Sequence, residues 1–162
     1  MNTSKEAFTK GLGFGLTSGV VTTLSILIGL DAVSDSKPVI IGGIITIAIA
    51  DAVSDALGIH ISEESQGKTK HIHIWTATVT TFLSKFSVGM SFLIPVTLFD
   101  VKIAIILSVI WGFFLITVFS YITAVKRKEN PFVTIIEHTV ITGIVLTVIH
   151  FTGKLIDTIF KL

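Results

Sequence analysis

Five long apolar runs dominate the chain, each closed by a short polar break. They cover about residues 8–30, 38–61, 73–98, 103–125 and 132–151, and the last can continue toward Phe160. Each reaches the roughly 20 residues that cross a bilayer as a helix. Lys85 and Pro95 interrupt the third run. The breaks fall at Asp31–Lys37, Ser62–Ile72, Phe99–Lys102 and Lys126–Pro131. Asp35 or Ser36 can cap the second helix, with Pro38 in its first turn. Asn130-Pro131 separates the fourth helix from the fifth. Gly11, Gly13, Gly15 and Gly19 make the first helix narrow. Gly42, Gly43, Ala48, Ala50, Ala52 and Ala56 do the same for the second. Small faces let membrane helices approach closely, so these two are expected to pack together or across a dimer axis.

Composition agrees with that reading. Of 162 residues, 51% are hydrophobic and only 14% charged, against about 25% charged in a soluble domain. The expected fold is an all-α integral membrane protein of one domain, with five spanning helices. Without cysteine, neither a disulfide framework nor a thiolate metal site can form. A net charge of +1 does not indicate nucleic acid. The N-terminus lacks the pattern of a removed signal peptide. No His-Glu-x-x-His or Gly-x-Ser-x-Gly arrangement points to an enzyme. Lys5, Lys10, Lys68, Lys70, Lys126, Arg127 and Lys128 fall on one side of the helices, and Lys37, Lys102, Lys154 and Lys161 on the other. That bias places the N-terminus in the cytoplasm and the C-terminus outside.

The candidate chemistry lies in a repeated pentapeptide, Asp-Ala-Val-Ser-Asp, at Asp31–Asp35 and Asp51–Asp55. The second copy sits inside an apolar run, with its carboxylates one helical turn apart on one face. An ionisable group at that depth costs about 2.5–3.5 kcal/mol on insertion scales, so it points to an ion or proton pathway. Neighbouring carboxylates resist simultaneous ionisation; a divalent cation relieves the repulsion and displaces a proton. The plainer alternative is that Asp51 and Asp55 bond to neighbouring helices or pair with Lys85. Lys85, near mid-depth of the third helix, is expected to pair with Asp51, Asp55 or Glu137, either in place of an absent cation or as a fixed ion pair. Glu137 and His138 open the fifth helix; they could feed protons or cations into the path, or be interfacial polar residues at a helix N-terminus, where a carboxylate is favoured in any case. Glu63, Glu64, His71 and His73 flank the second connection. They could collect a divalent ion, with His60 joining them, or form a solvated loop. Asp31 and Asp35 could form an exit funnel. Trp75 and Trp111 are expected to anchor helix ends at the membrane interface.

Several segments resemble the vacuolar iron transporter family of five-helix, proton-coupled metal exporters. They are Gly15–Thr23, Ile40–Gly43, Ile49–Gly58, Ile61-Ser62 and Ser65-Gln66, with a weaker likeness at Thr80–Phe86 and Ile94-Pro95. The resemblance covers most of the chain, and only the first two helices carry specific motifs. It implies a homodimer whose path is lined by those helices, and it carries Asp51 and Ser54 over as path residues. Ser18 stands where the family has an aspartate, Asp55 where it has methionine, and Ile59-His60 where it has Glu-Tyr. The cytosolic metal-binding insert of the eukaryotic exporters is absent from the short Ser62–Ile72 connection. A carboxylate in place of a thioether shifts the preference toward hard cations, making Mn2+, Mg2+ or Ca2+ as credible as Fe2+. The expected function is export of a divalent cation by proton antiport, with the metal as substrate, in a prokaryotic plasma membrane. The competing expectation is a scaffold or metal sensor that keeps the fold without transport.

Overall fold

A computed structural model of the chain describes residues 3–67 and 70–160. Lys68 and Lys161, which entered the charge count, lie outside the described residues. All regular structure is helical: α1 (Thr3–Asp31), α2 (Lys37–Ser65), α3 (His71–Ser91), α4 (Leu93–Leu98), α5 (Val101–Arg127) and α6 (Pro131–Phe160). Five spans are long and apolar enough to cross a membrane, with α3 and α4 together making the third. The chain is therefore consistent with a multi-pass membrane protein. Four of the five spans extend past their apolar runs at both ends, and the third does so only at its start, because polar residues continue the hydrogen-bond ladder after the bilayer-length segment is complete.

Three breaks show how sequence sets the boundaries. Pro95 has no N–H, and its ring competes with the carbonyl of Ser91, so the third span breaks at Phe92. Lys85 does not interrupt α3. At the start of α2, Ser36 occupies the cap position, but its hydroxyl makes no capping bond and Asp35 is exposed. The first turn is instead tolerant because Pro38 has no amide to satisfy. α5 ends at Lys128, which takes a left-handed conformation (φ 58°) and donates its N–H back to Ala124 and Val125.

α1 and α2 pack together as expected, but neither is the other's main partner. α1 packs most extensively on α3, and α2 also packs more on α3 than on α1. The cause is the glycine seam of α1. A Cβ on Gly11 would stand 2.5 Å from the Ala77 carbonyl oxygen, and one on Gly15 2.6 Å from that of Thr81. Both are backbone atoms of α3, so only glycine permits this approach. Gly13 points elsewhere, onto the Phe119 ring of α5. On α2, Ile40, Ile44, Ala48, Ala52 and Ala56 are buried, with Ala48 against Gly89 of α3. The opposite face of α2, Gly42, Thr46, Ala50, Ser54 and Gly58, is exposed.

Candidate functional site: a lysine held by two aspartates

α3 buries one residue per turn along a single line: Ile74, Ala77, Thr81, Lys85 and Gly89. Its neighbours in that line are mostly small, so Lys85 is carried into the packed face and only 2% of its surface stays exposed. Gly19 of α1 lies over it; a Cβ there would stand 3.2 Å from the Lys85 carbonyl oxygen. This close approach brings the adjacent Ser18 within reach.

The Lys85 ammonium meets three partners from two helices. It donates to Ser18 Oγ at 2.7 Å and to Asp55 Oδ2. It lies 2.6 Å from Asp51 Oδ2. Ser18 in turn donates to Asp55 Oδ2 at 2.8 Å. The Asp51 contact lacks hydrogen-bond alignment, so that buried oxygen has a counter-charge but no donor. The aspartate side chains keep 22% and 20% of their surface exposed. The carboxylates are thus reachable while the lysine is enclosed.

The chemistry follows from charge. Two ionised carboxylates and one ammonium leave the cluster at −1. The repulsion expected between Asp51 and Asp55 is already relieved, by a cation that belongs to the protein. A divalent ion placed here would have to compete with that ammonium or meet it without its proton. Removing Lys85 would leave both carboxylates without a counter-charge, which costs far more than the intact set contributes, whereas removing one aspartate would leave a neutral pair.

The other candidates do not join this cluster. Ser54 faces outward on α2, and Glu137 is exposed on α6. Among the described residues Lys85 pairs only with the two aspartates, so the expected alternative with Glu137 is not realised. The charged groups of the second connection separate. Glu63 is buried and pairs with Lys10 of α1, while Glu64 and His71 are exposed and His73 is half-buried. His60 turns away to Thr78, 3.1 Å from its Oγ1, and stands edge-on to Trp75 at 4.9 Å. Among the described residues no three His, Asp or Glu side chains converge in a metal-holding group.

At the other end of the bundle, Asp31 borders a cavity of about 440 Å³ with His150 and Thr147, while Asp35 is exposed. His138 hydrogen-bonds to Ser120 at 2.8 Å, a pairing that ties α6 to α5. Trp111 corrects its expected place at a helix end. It sits well inside α5 and donates its indole N–H to Ser91 Oγ at 3.0 Å, beside the break in the third span. The signal for Lys85 was present in the small-residue line of α3. For the His60–Thr78 and Trp111–Ser91 pairs, which form only through folding, no local pattern marked the partner. The chain matches no known protein-family model and no characterised protein by sequence.

Proposed function

We propose that this chain is a membrane transporter that exports divalent cations from the cytoplasm in exchange for protons. The observation that supports it best is the convergence of Asp51, Asp55, Ser18 and Lys85 midway along three spanning helices. Ionisable groups at that depth are costly, and for that reason they point to a path. In this reading Lys85 occupies the cation position between substrates. When Mn2+, Fe2+ or a harder cation binds Asp51 and Asp55, the charge of Lys85 is displaced or its proton leaves, coupling metal to proton movement. The donor set is all oxygen, which suits hard cations. The resemblance of Gly15–Thr23 and Ile49–Gly58 to the vacuolar iron transporters supports the same reading. So does the exposed small-residue face of α2, which fits a second copy in a homodimer. The lysine and arginine bias supports a cytoplasmic N-terminus, and the short connections without a cytosolic insert favour a prokaryotic plasma membrane.

The test is metal flux in proteoliposomes under an imposed pH gradient, comparing Mn2+, Fe2+, Mg2+ and Ca2+. Gradient-driven uptake is expected in the native chain and is expected to vanish in Asp51→Asn/Asp55→Asn. Unchanged uptake in that variant sinks the assignment. One observation favours a second reading, a scaffold or metal sensor: Lys85 is almost fully enclosed and already satisfied. Metal binding without turnover in a folded protein would favour it.

A further inference from the structure

We infer that the groove between α1 and α5, at the end of the bundle where α1 begins, binds an anionic phospholipid. Two adjoining cavities make the groove. The outer one, about 660 Å³, has a mouth of Lys5, Lys10, Lys126 and Arg127, with Glu6 as its acidic member. The inner one, about 280 Å³, is floored by Leu12, Leu16, Leu115, Val118 and Ile122. Both share Phe119, whose ring lies against Gly13; a Cβ there would stand 2.7 Å from the ring. A basic mouth thus opens onto an apolar trough.

Two of the four cations are already balanced, Lys10 by Glu63 and Arg127 by Glu129. Lys5 and Lys126 have no carboxylate partner among the described residues. Arg127 is 65% exposed beside Glu129 and retains donors for a second acceptor. A phosphate on the mouth would meet these three, while an acyl chain would follow the trough beneath. A free anion would leave the trough unfilled, and a zwitterionic lipid would gain less from the charge. Basic pockets between spanning helices are a recurring way to hold anionic headgroups.

The probe is dioleoylphosphatidylglycerol added to the delipidated full chain in neutral detergent, against dioleoylphosphatidylcholine and inorganic phosphate. Bound lipid is counted by native mass spectrometry and stabilisation read as a shift in thermal midpoint. Phosphatidylglycerol is expected to be retained and to raise the midpoint, with phosphatidylcholine and phosphate well behind. Lys5→Gln/Lys126→Gln/Arg127→Gln should weaken retention by on the order of a hundredfold, because each basic group near an anionic surface contributes roughly fivefold. Lys154→Gln, at the far end of α6, should change nothing. Glu6→Gln should tighten retention, which keeps the idea falsifiable if the triple variant does not fold. Equal retention of the two lipids overturns the inference, as does inorganic phosphate matching the lipid. Headgroup-independent dimerisation through the groove overturns it as well.

Discussion

Lys85→Met is expected to destabilise the folded bundle by about 3–5 kcal/mol, the range for removing one partner of a buried ion pair. Methionine preserves the length and most of the volume of the side chain, so packing against Gly19 changes little. What changes is charge: Asp51 and Asp55 then face each other with no cation, and Ser18 loses one of its two partners. The measurement is the unfolding midpoint in detergent. The decisive companion is Lys85→Met combined with Asp51→Asn and Asp55→Asn, which removes the whole charge set. Replacing a complete buried set by neutral groups is often close to harmless, so most of the lost stability should return. If the triple variant is no better than Lys85→Met, the lysine acts through its aliphatic stem and the electrostatic account is wrong. The rescued triple variant should still carry no metal, which separates folding from transport.

Gly15→Leu is expected to separate α1 from α3. The added Cβ would sit 2.6 Å from the Thr81 carbonyl oxygen, a backbone atom that cannot rotate away. Overpacking a core costs about 1–3 kcal/mol and occasionally more; a leucine at a contact between two backbones belongs at the upper end. Because Ser18 and Gly19 continue the same seam, the Ser18 bonds to Lys85 and Asp55 should loosen too. The matched control is Gly58→Leu on the outer face of α2, where nothing lies within 4 Å of an added Cβ. Its monomer stability should hold or rise slightly, since glycine is roughly 0.8–1.0 kcal/mol worse than alanine within a helix. If a second copy packs on that face, Gly58→Leu should instead shift the protein from dimer to monomer in a sedimentation experiment. Equal unfolding midpoints for the two variants would discard the glycine seam as the basis of α1–α3 packing.

The number and rough limits of the spanning helices were legible because bilayer length and hydropathy alone select them. Asp51 and Asp55 were legible because a charge stands out in an apolar run. Which helix faces which was not. Spanning helices are apolar on all sides, so periodicity carries little phase, and α2 bears two small-residue lines that look equivalent in sequence. Ile40 to Ala56 is buried while Gly42 to Gly58 is exposed, and only the partner helix decides between them. Lys85 was placed at the right depth, but its enclosure depends on the approach of α1, which the glycines permit without naming the helix they face. Trp111 was misplaced because aromatic anchoring is a tendency of helix ends, whereas here the indole N–H finds Ser91 beside the proline break.

The lysine and its two aspartates lie on neighbouring stretches of chain joined by a short link, and this bears on synthesis. If the helices span a membrane, α2 would leave the ribosome first and carry both carboxylates into the bilayer at a combined insertion cost of roughly 5–7 kcal/mol. Its high mean hydropathy of 1.8 helps to offset this, yet the charges have no counter-ion until α3 follows. Lys85 alone would be costly for α3 in the same way. Entering as a hairpin, the two helices would bring the single lysine against the two carboxylates at the moment of insertion and cut the buried net charge from −2 to −1. The three-residue cluster would then tie membrane integration to the order of translation, and a pause engineered between α2 and α3 is expected to trap α2 outside the bilayer.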